Sequence, residues 1–389
     1  WRTMSEAQTA AGAGDTMKLL GSAANNASWY PTAITLNKSL AWEADTGHTP
    51  TISGGYNLSG NNYALGGSVP GGLEASMIKV TANDVTLEGI RIQNIGGTAV
   101  SCTGHRFTMQ NCVVNMTYAA GIIVDDAPGG NTEDVLIDGC TFTNTSYAWR
   151  DVGGQSGRNA VMLKGCTDLV FSNNYVAYCY KEGINIDKGS VGTVVEYNEI
   201  HSINHSAIYI NRAADAIVRG NVVYHTRRRD FLGQSFNERS APAGIKIGDE
   251  THKNALAYTQ STRQRIYNNL VIGAGNCLQV SNGTNYDTQL KQAYIGYNTF
   301  VGCVWQDAGG TSKTSIVVDI ADNTRGRKHE TTIFENNIIY APAGVKMVKI
   351  IGSSGVLFRN NCWYSADGET APAGGTVTDD PLLNRPAAN

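Results

Sequence analysis

Charge is scarce in this sequence: Asp, Glu, Lys and Arg together make up 16% of 389 residues, and the formal net charge is −3. No long basic run occurs, so nothing points to nucleic acid as a partner. No apolar stretch approaches the roughly 20 residues that a helix needs to span a membrane. None of the eight cysteines falls in a CxxC pair or in a Cys/His cluster with zinc spacing. After residue 75, neither periodicity nor segment length suggests a helix. No leader peptide is visible, and Trp1 stands where an initiator Met would be. That reads as a processed product and gives the expectation of a secreted or periplasmic protein.

What is plentiful is Gly (44) and Tyr (18), with many β-branched residues and Asn. The mix suits strands and turns. An irregular repeat runs through the chain, marked by an Asn that closes one strand and precedes the next: Asn111, Asn174, Asn198, Asn221, Asn269, Asn298, Asn337 and Asn361, with Gly139 filling one missing step. Asn tolerates a left-handed turn, and its amide can bond the equivalent Asn or backbone of the neighbouring repeat. The shortest steps, of about two dozen residues, give a minimal coil of three short strands with loops growing at one corner. The expectation is an all-β, single-domain, right-handed parallel β-helix of about ten coils. The stretch MSEAQTAAGAGDTMKLL reads as a short amphipathic helix, a turn and a first strand. Residues 1–75 are therefore expected to form a helical cap and first coils, 76–365 the β-helix, and 366–389 a terminal cover. The cysteines read as small buried side chains, and a Cys112–Cys140 disulfide stays open.

Four stretches organise the functional reading: NAVMLKG, EGINIDKG, SAIYINRA and AGIKIGDE, beginning at Asn159, Glu182, Ser206 and Ala243. Aligned on Ala160, Gly183, Ala207 and Gly244, their second and fourth positions are apolar and must point inward. Positions three and five then point outward. One outer face collects Asn159, Lys164, Glu182, Asn185, Asp187, Lys188, Tyr209, Asn211, Arg212, Lys246, Asp249 and Glu250. Lys188 and Arg212 fall in one column, roughly 4.7–4.9 Å apart along the stack. Insertions at 142–159, 226–243 and 249–265 flank these strands, as loops that wall a binding cleft do. Among their residues, Arg150 and Arg227–Arg229 are candidates to touch a ligand.

An elongated groove along stacked coils fits a polysaccharide. Removing the C5 proton of a uronic acid needs a neutralised carboxylate and a base with a pKa near the working pH. Lys188, one coil from a second cation, is a candidate base, and Arg212 a holder of the carboxylate or the enolate-like intermediate. Tyr209 is placed to protonate the leaving oxygen. His205 is a weaker acid/base candidate at the cleft edge, and His201 reads as a satisfied turn residue. Asn159 and Glu182, at equivalent positions on successive coils, are candidates to help hold Ca2+. The plainer reading is that Asp187, Lys188, Arg212 and Asp249 form a solvated ion-pair ladder.

Over residues 75–365 the coil pattern resembles the pectate-lyase-type superfamily of right-handed parallel β-helix proteins, which implies fold more than activity. The site is most similar to the alginate lyase and chondroitinase B family of polysaccharide lyases. That family carries a Lys-Ser base strand, an Arg on the next coil, and an Asn and two Glu at calcium. The resemblance places Lys188 of IDKGS and Arg212 of INRA in the catalytic roles, and Asn159 and Glu182 at the metal. The sequence departs from the pattern in three places: Gly189 separates Lys188 from Ser190, Gly183 stands where a second Glu is expected, and Ala213 follows the Arg. The leading expectation is a lyase acting on an acidic polysaccharide. Alternatives are a glycoside hydrolase using Asp187 and Asp249, or a non-catalytic carbohydrate-binding or viral adhesin β-helix.

Overall fold

The structure is a computed structural model that describes residues 3–21, 28–29, 33–54, 76–126, 130–147, 159–224, 230–231, 234–235, 242–250, 261–281, 286–306, 312–313, 315–321, 328–351 and 355–372. Three long sheets of twelve, twelve and eleven strands run along it. The chain visits them in turn. Val194–Glu196 lies in the first sheet, Glu199–Ile203 in the second and Ser206–Asn211 in the third, after which Ile217–Arg219 returns to the first. Neighbouring strands pair in parallel. This is the parallel β-helix expected from the repeat, and the levels beyond the expected ten lie mostly before residue 76.

The repeat forms because each coil buries one apolar row per sheet. In the third sheet, Ile184, Ile208, Ile245 and Leu278 stack in register as one inward row. Ile186, Ile210, Ile247 and Val280 form the next. All belong to a single apolar cluster that runs from Met4 to Trp363. The glycines that open two of these strands, Gly183 and Gly244, are imposed by close approach of the next coil. A Cβ on Gly183 would lie 2.6 Å from the Ala207 carbonyl oxygen, and one on Gly244 would lie 2.8 Å from that of Cys277.

The Asn ladder is present, with its two tasks divided between consecutive residues. Asn198 Oδ1 accepts from Asn174 N (2.8 Å) and Asn174 Nδ2 (3.1 Å). The same pair of bonds continues through Asn221, Asn269, Asn298 and Asn337 to Asn361. These side chains are buried. The left-handed turn falls one residue earlier, at Gly89, Asn111, Gly139, Asn173, Tyr197, Gly220, Asn268, Tyr297, Asn336 and Asn360. Asn111 and Gly139 therefore belong to the turn column, and the ladder places before Asn174 are held by Cys112 and Cys140. No disulfide joins the eight cysteines, six of which are buried.

Helix α1 (Met4–Ala10) carries a capping box, with Thr3 and Glu6 bonded reciprocally. At its other end Lys38 Nζ reaches the carbonyls of Gln8 and Ala11, both at 2.9 Å. No helix among the described residues is long and apolar enough to cross a membrane.

Candidate functional site

The outward columns of the third sheet stand in the register read from the sequence. Met162 pairs with Asn185, Asn185 with Tyr209, Tyr209 with Lys246, and Lys246 with Gln279. These side chains point away from the core, yet Asn185 is 4% exposed, Tyr209 2% and Lys246 5%. Burying polar groups on an outer face costs free energy unless each finds a partner. The partners define the site.

Lys188 and Arg212 are neighbours on one edge, as the alignment requires: both are left-handed, and Gly189 N donates to Arg212 O at 2.7 Å. Their side chains meet carboxylates. The Arg212 guanidinium lies 3.1 Å from Asp187 Oδ1, and Lys188 Nζ lies 3.4 Å from Asp125 Oδ1. Lys164 also pairs with Asp125. Asp125, Lys164 and Asp187 thus alternate in sign along one column, a different set from the Asp187, Lys188, Arg212 and Asp249 ladder considered from the sequence. Asp187 Oδ1 additionally accepts from Lys188 N at 2.7 Å. Burial pushes the Asp187 carboxyl above its ordinary range; Arg212 opposes this, and the nearby charge of Glu250 adds to it.

Beside this pair lies a phenol–carboxylate cluster. Tyr209 Oη donates to Glu250 Oε1 at 3.0 Å, and Tyr286 Oη reaches the same oxygen at 3.4 Å. Lys246 Nζ donates to Tyr286 Oη at 3.1 Å and lies over both rings, 4.5 Å from the Tyr209 centroid and 5.0 Å from that of Tyr286. Asn211 anchors the cluster, its Oδ1 accepting from Glu250 N at 3.0 Å. Burial, followed by the charge of Glu250, holds the Tyr209 phenol well above its ordinary pKa.

At the other end of the strands, Glu182 Oε1 lies 2.9 Å from His205 Nδ1, and Oε2 lies 3.8 Å from Lys181 Nζ. Burial pushes this carboxyl up, but the charges of Lys181 and His205 and the His205 hydrogen bond outweigh it and hold the pKa at about 2. Asn159, the candidate calcium ligand, is buried, and its Oδ1 has no hydrogen-bond partner. Calcium takes six to eight oxygen ligands. Here the one carboxylate is engaged by Lys181 and His205, and among the described residues no group of three or more His, Cys, Asp or Glu is arranged to hold a metal ion. The set fits calcium poorly, and no chemistry is routed through it.

Asp249 occupies its aligned position but faces backbone. Its Oδ1 accepts from Arg212 N (3.2 Å) and Ser261 N (2.9 Å). Burial raises its pKa, and the residue is 3% exposed. It braces the turn rather than opening toward a groove, so an Asp187–Asp249 pair lacks one accessible member. His201 lies in a strand of the second sheet, where its ring meets Tyr175 Oη at 2.5 Å and stacks on Tyr224. Arg150, Arg227–Arg229 and most of the three insertions lie outside the described residues. Two contributors to the site were not singled out from sequence. Asp125 could have been found from the sign alternation of its column. Tyr286 had no such signal, because an antiparallel bridge to Glu250 brings it in.

Comparison with known proteins agrees with this architecture. The family described as the right-handed beta helix region matches residues 76–300 and 159–363, together well over half of the chain. A search of curated proteins finds no match. Among solved structures, the chain is similar to PfbA, a surface adhesin of Streptococcus pneumoniae, with a TM-score of 0.64 at 12% identity, covering 93% of this chain and 85% of that one. It is similar to pectate lyase Pel9A, with a TM-score of 0.52 at 10% identity, covering 95% and 76%. It is also similar to the tailspike of E. coli bacteriophage HK620, solved in complex with a pentasaccharide, with a TM-score of 0.55 at 13% identity, covering 87% and 57%. The chain spans 57% of that tailspike and 61% of the Dettilon tailspike. At such identities the likeness is one of fold, and with the family match it gives one conclusion: the chain belongs to the right-handed β-helix family.

Proposed function

We propose that this protein is a carbohydrate-active enzyme that hydrolyses a glycosidic bond on the outer face of the third sheet, with Asp187 as general acid and Glu250 as general base. The observation that carries the reading is that the two carboxyls lie close together in unlike settings. Asp187 is half-buried and its pKa is raised, while the Glu250 carboxylate is held by two phenols and its backbone N–H donates to Asn211 Oδ1. Pairs of carboxyls with unlike environments divide acid and base work between them. Both bonds to Asp187 land on Oδ1, which leaves Oδ2 to carry the proton. In the reaction, Glu250 takes a proton from water as its oxygen bonds the anomeric carbon. The bond from that carbon to the leaving oxygen breaks, and the leaving oxygen takes the Asp187 proton. Arg212 fixes the rotamer of Asp187. The tailspike and pectate lyase likenesses support a glycan as the ligand of such a face.

Elimination with Lys188 as base and Arg212 as stabiliser is the second reading, favoured by their adjacency on one edge. The contacts of both cations weigh against it, since Lys188 is met by Asp125 and Arg212 is held against Asp187. One assay separates the readings: incubation with neutral glycans, alginate, pectate, chondroitin and dermatan sulfates and glucuronan, followed by reducing ends and by absorbance at the unsaturated-uronate band. Hydrolysis releases reducing ends without absorbance, and Asp187→Asn and Glu250→Gln each lower kcat by about 10²- to 10⁴-fold. Absorbance that disappears in Lys188→Ala would instead establish elimination. Silence in both channels would leave a binding protein, as the PfbA likeness allows.

A further inference from the structure

The ladder between the first and second sheets is made of Asn from Asn174 onward, but two successive levels before it carry thiols, Cys112 and Cys140. The exchange weakens the ladder. Asn198 Oδ1 accepts from both the N and the Nδ2 of Asn174, whereas Cys140 Sγ accepts from Cys112 N at 3.4 Å, and sulfur is a weak acceptor. What the pair supplies, and Asn does not, is one sulfur beside another.

The register makes that juxtaposition close. Val113 pairs with Thr141, which sets Cys112 directly opposite Cys140 on the neighbouring coil. Backbone bonds close the ladder on either side, from Asn111 N to Asp138 O at 3.1 Å and from Thr141 N to Cys112 O at 2.9 Å. Strands so paired hold facing Cα atoms roughly 4.7–4.9 Å apart, inside the roughly 4.4–6.8 Å that a disulfide spans. The two thiols share a hydrogen bond, and both residues are 1% exposed. Cys102, Cys166, Cys179 and Cys362 face residues other than cysteine across their strand pairs. Burial pushes the thiols of Cys102, Cys166, Cys179 and Cys277 up. Cys112 differs, because the hydrogen bond with Cys140 outweighs burial and draws its thiol below the ordinary pKa.

We propose that Cys112 and Cys140 are a redox-active pair that closes, in an oxidising compartment, into a disulfide clamping two successive coils. In the first step the Cys112 thiolate attacks one sulfur of a disulfide oxidant, forming a mixed disulfide and releasing one thiolate. Cys140, giving up its proton, then attacks the Cys112 sulfur and expels the second. The two cysteine protons end on the two released thiols, so the pair is oxidised and the oxidant reduced. Both side chains are buried in the folded chain, so the exchange belongs to the stage at which these coils assemble. The loop that the bond closes carries Asp125, the carboxylate that meets Lys188 and pairs with Lys164. Closure therefore fixes the coil that supplies this edge of the third-sheet site. The proposal does not rest on the hydrolytic reading.

The test compares the intact chain produced in an oxidising secretory compartment with the same chain produced in a reducing cytoplasm. Each is unfolded in excess alkylating reagent, weighed by mass spectrometry and mapped by unreduced peptides. The oxidised chain is expected to take up two fewer alkyl groups than the eight of the reduced chain, with Cys112 and Cys140 in one linked peptide. It should also melt roughly 2–5 °C higher, the effect of cross-linking a loop of this length in a chain of this size. That difference should vanish in the Cys112→Ser/Cys140→Ser double variant, while the alkylation count needs no variant. Full alkylation of the oxidised chain, or a bond joining other cysteines in place of this pair, would overturn the proposal. A Cys112–Cys140 bond that leaves melting unchanged would overturn the clamping role.

Discussion

Glu182 keeps its charge although it is 5% exposed, because His205 and Lys181 offset the cost of burial. A carboxyl whose folded pKa is about 2, against an ordinary 4.5, contributes stability that is fully present above 4.5 and is lost as pH falls through about 2. A difference of that size corresponds to about 3 kcal/mol. Thermal melts between pH 6 and pH 2 should therefore fall more steeply in wild type than in Glu182→Gln, which has no such charge to lose. Parallel curves would show that Glu182 contributes nothing through its ionisation. At this scale the sequence was informative about which way side chains face, since a period of two fixes the columns once the strands are aligned. It was silent on how far each side chain reaches. Lys188 bonds Asp125, 63 residues earlier and two levels away, where the alignment had suggested Arg212 as the neighbour that sets its chemistry. Glu250 rose in importance for the same reason, because its partner Tyr286 arrives from beyond the next strand.

The Asn ladder separates two demands that the repeat pattern had merged. Asn221 Oδ1 accepts from Asn198 N and Nδ2, while its own Nδ2 donates to Val195 O and Asn269 Oδ1. Asn221→Ala strands these buried groups, at about 1–3 kcal/mol for each one left unsatisfied, so a total loss of several kcal/mol is expected. Asn173, in the turn column with φ 54°, is exposed. Glycine meets that backbone demand, so Asn173→Gly is expected to change stability by no more than about 0.5 kcal/mol. Calorimetric melting of the two variants checks this, and equal effects would mean that the division of labour is wrong. The marker was readable in the sequence because Asn is common at both places. It slipped by one residue at Asn111 and Gly139, where a thiol holds the ladder place and only the turn residue looks familiar.

Across the whole molecule, the weak points of a solenoid are its ends, where sheet edges and core meet water. Among the described residues, the third sheet begins with Ile34–Leu36, whose outer edge has no strand beside it. Helix α1 covers that edge. Met4 and Ala7 join the apolar cluster of Leu36 and Trp42, and the Gln8 side chain stands in for a strand by donating to Thr35 O at 2.9 Å and accepting from Asn37 N at 3.3 Å. A helix of seven residues is too short to be stable by itself, so it is held by this docking and by Lys38 on its carbonyls. Replacing Gln8 by Ala and Met4 by Asp should undock it. The bare edge then offers its N–H and C=O groups to the same edge of a second chain. The expected outcome is association that rises with protein concentration in light scattering, beyond any shown by the intact chain. The circular dichroism of the remaining coils should be nearly unchanged, because each coil is stabilised chiefly by its neighbours. A double variant that scatters and melts like the intact chain would mean that α1 covers the edge without protecting it.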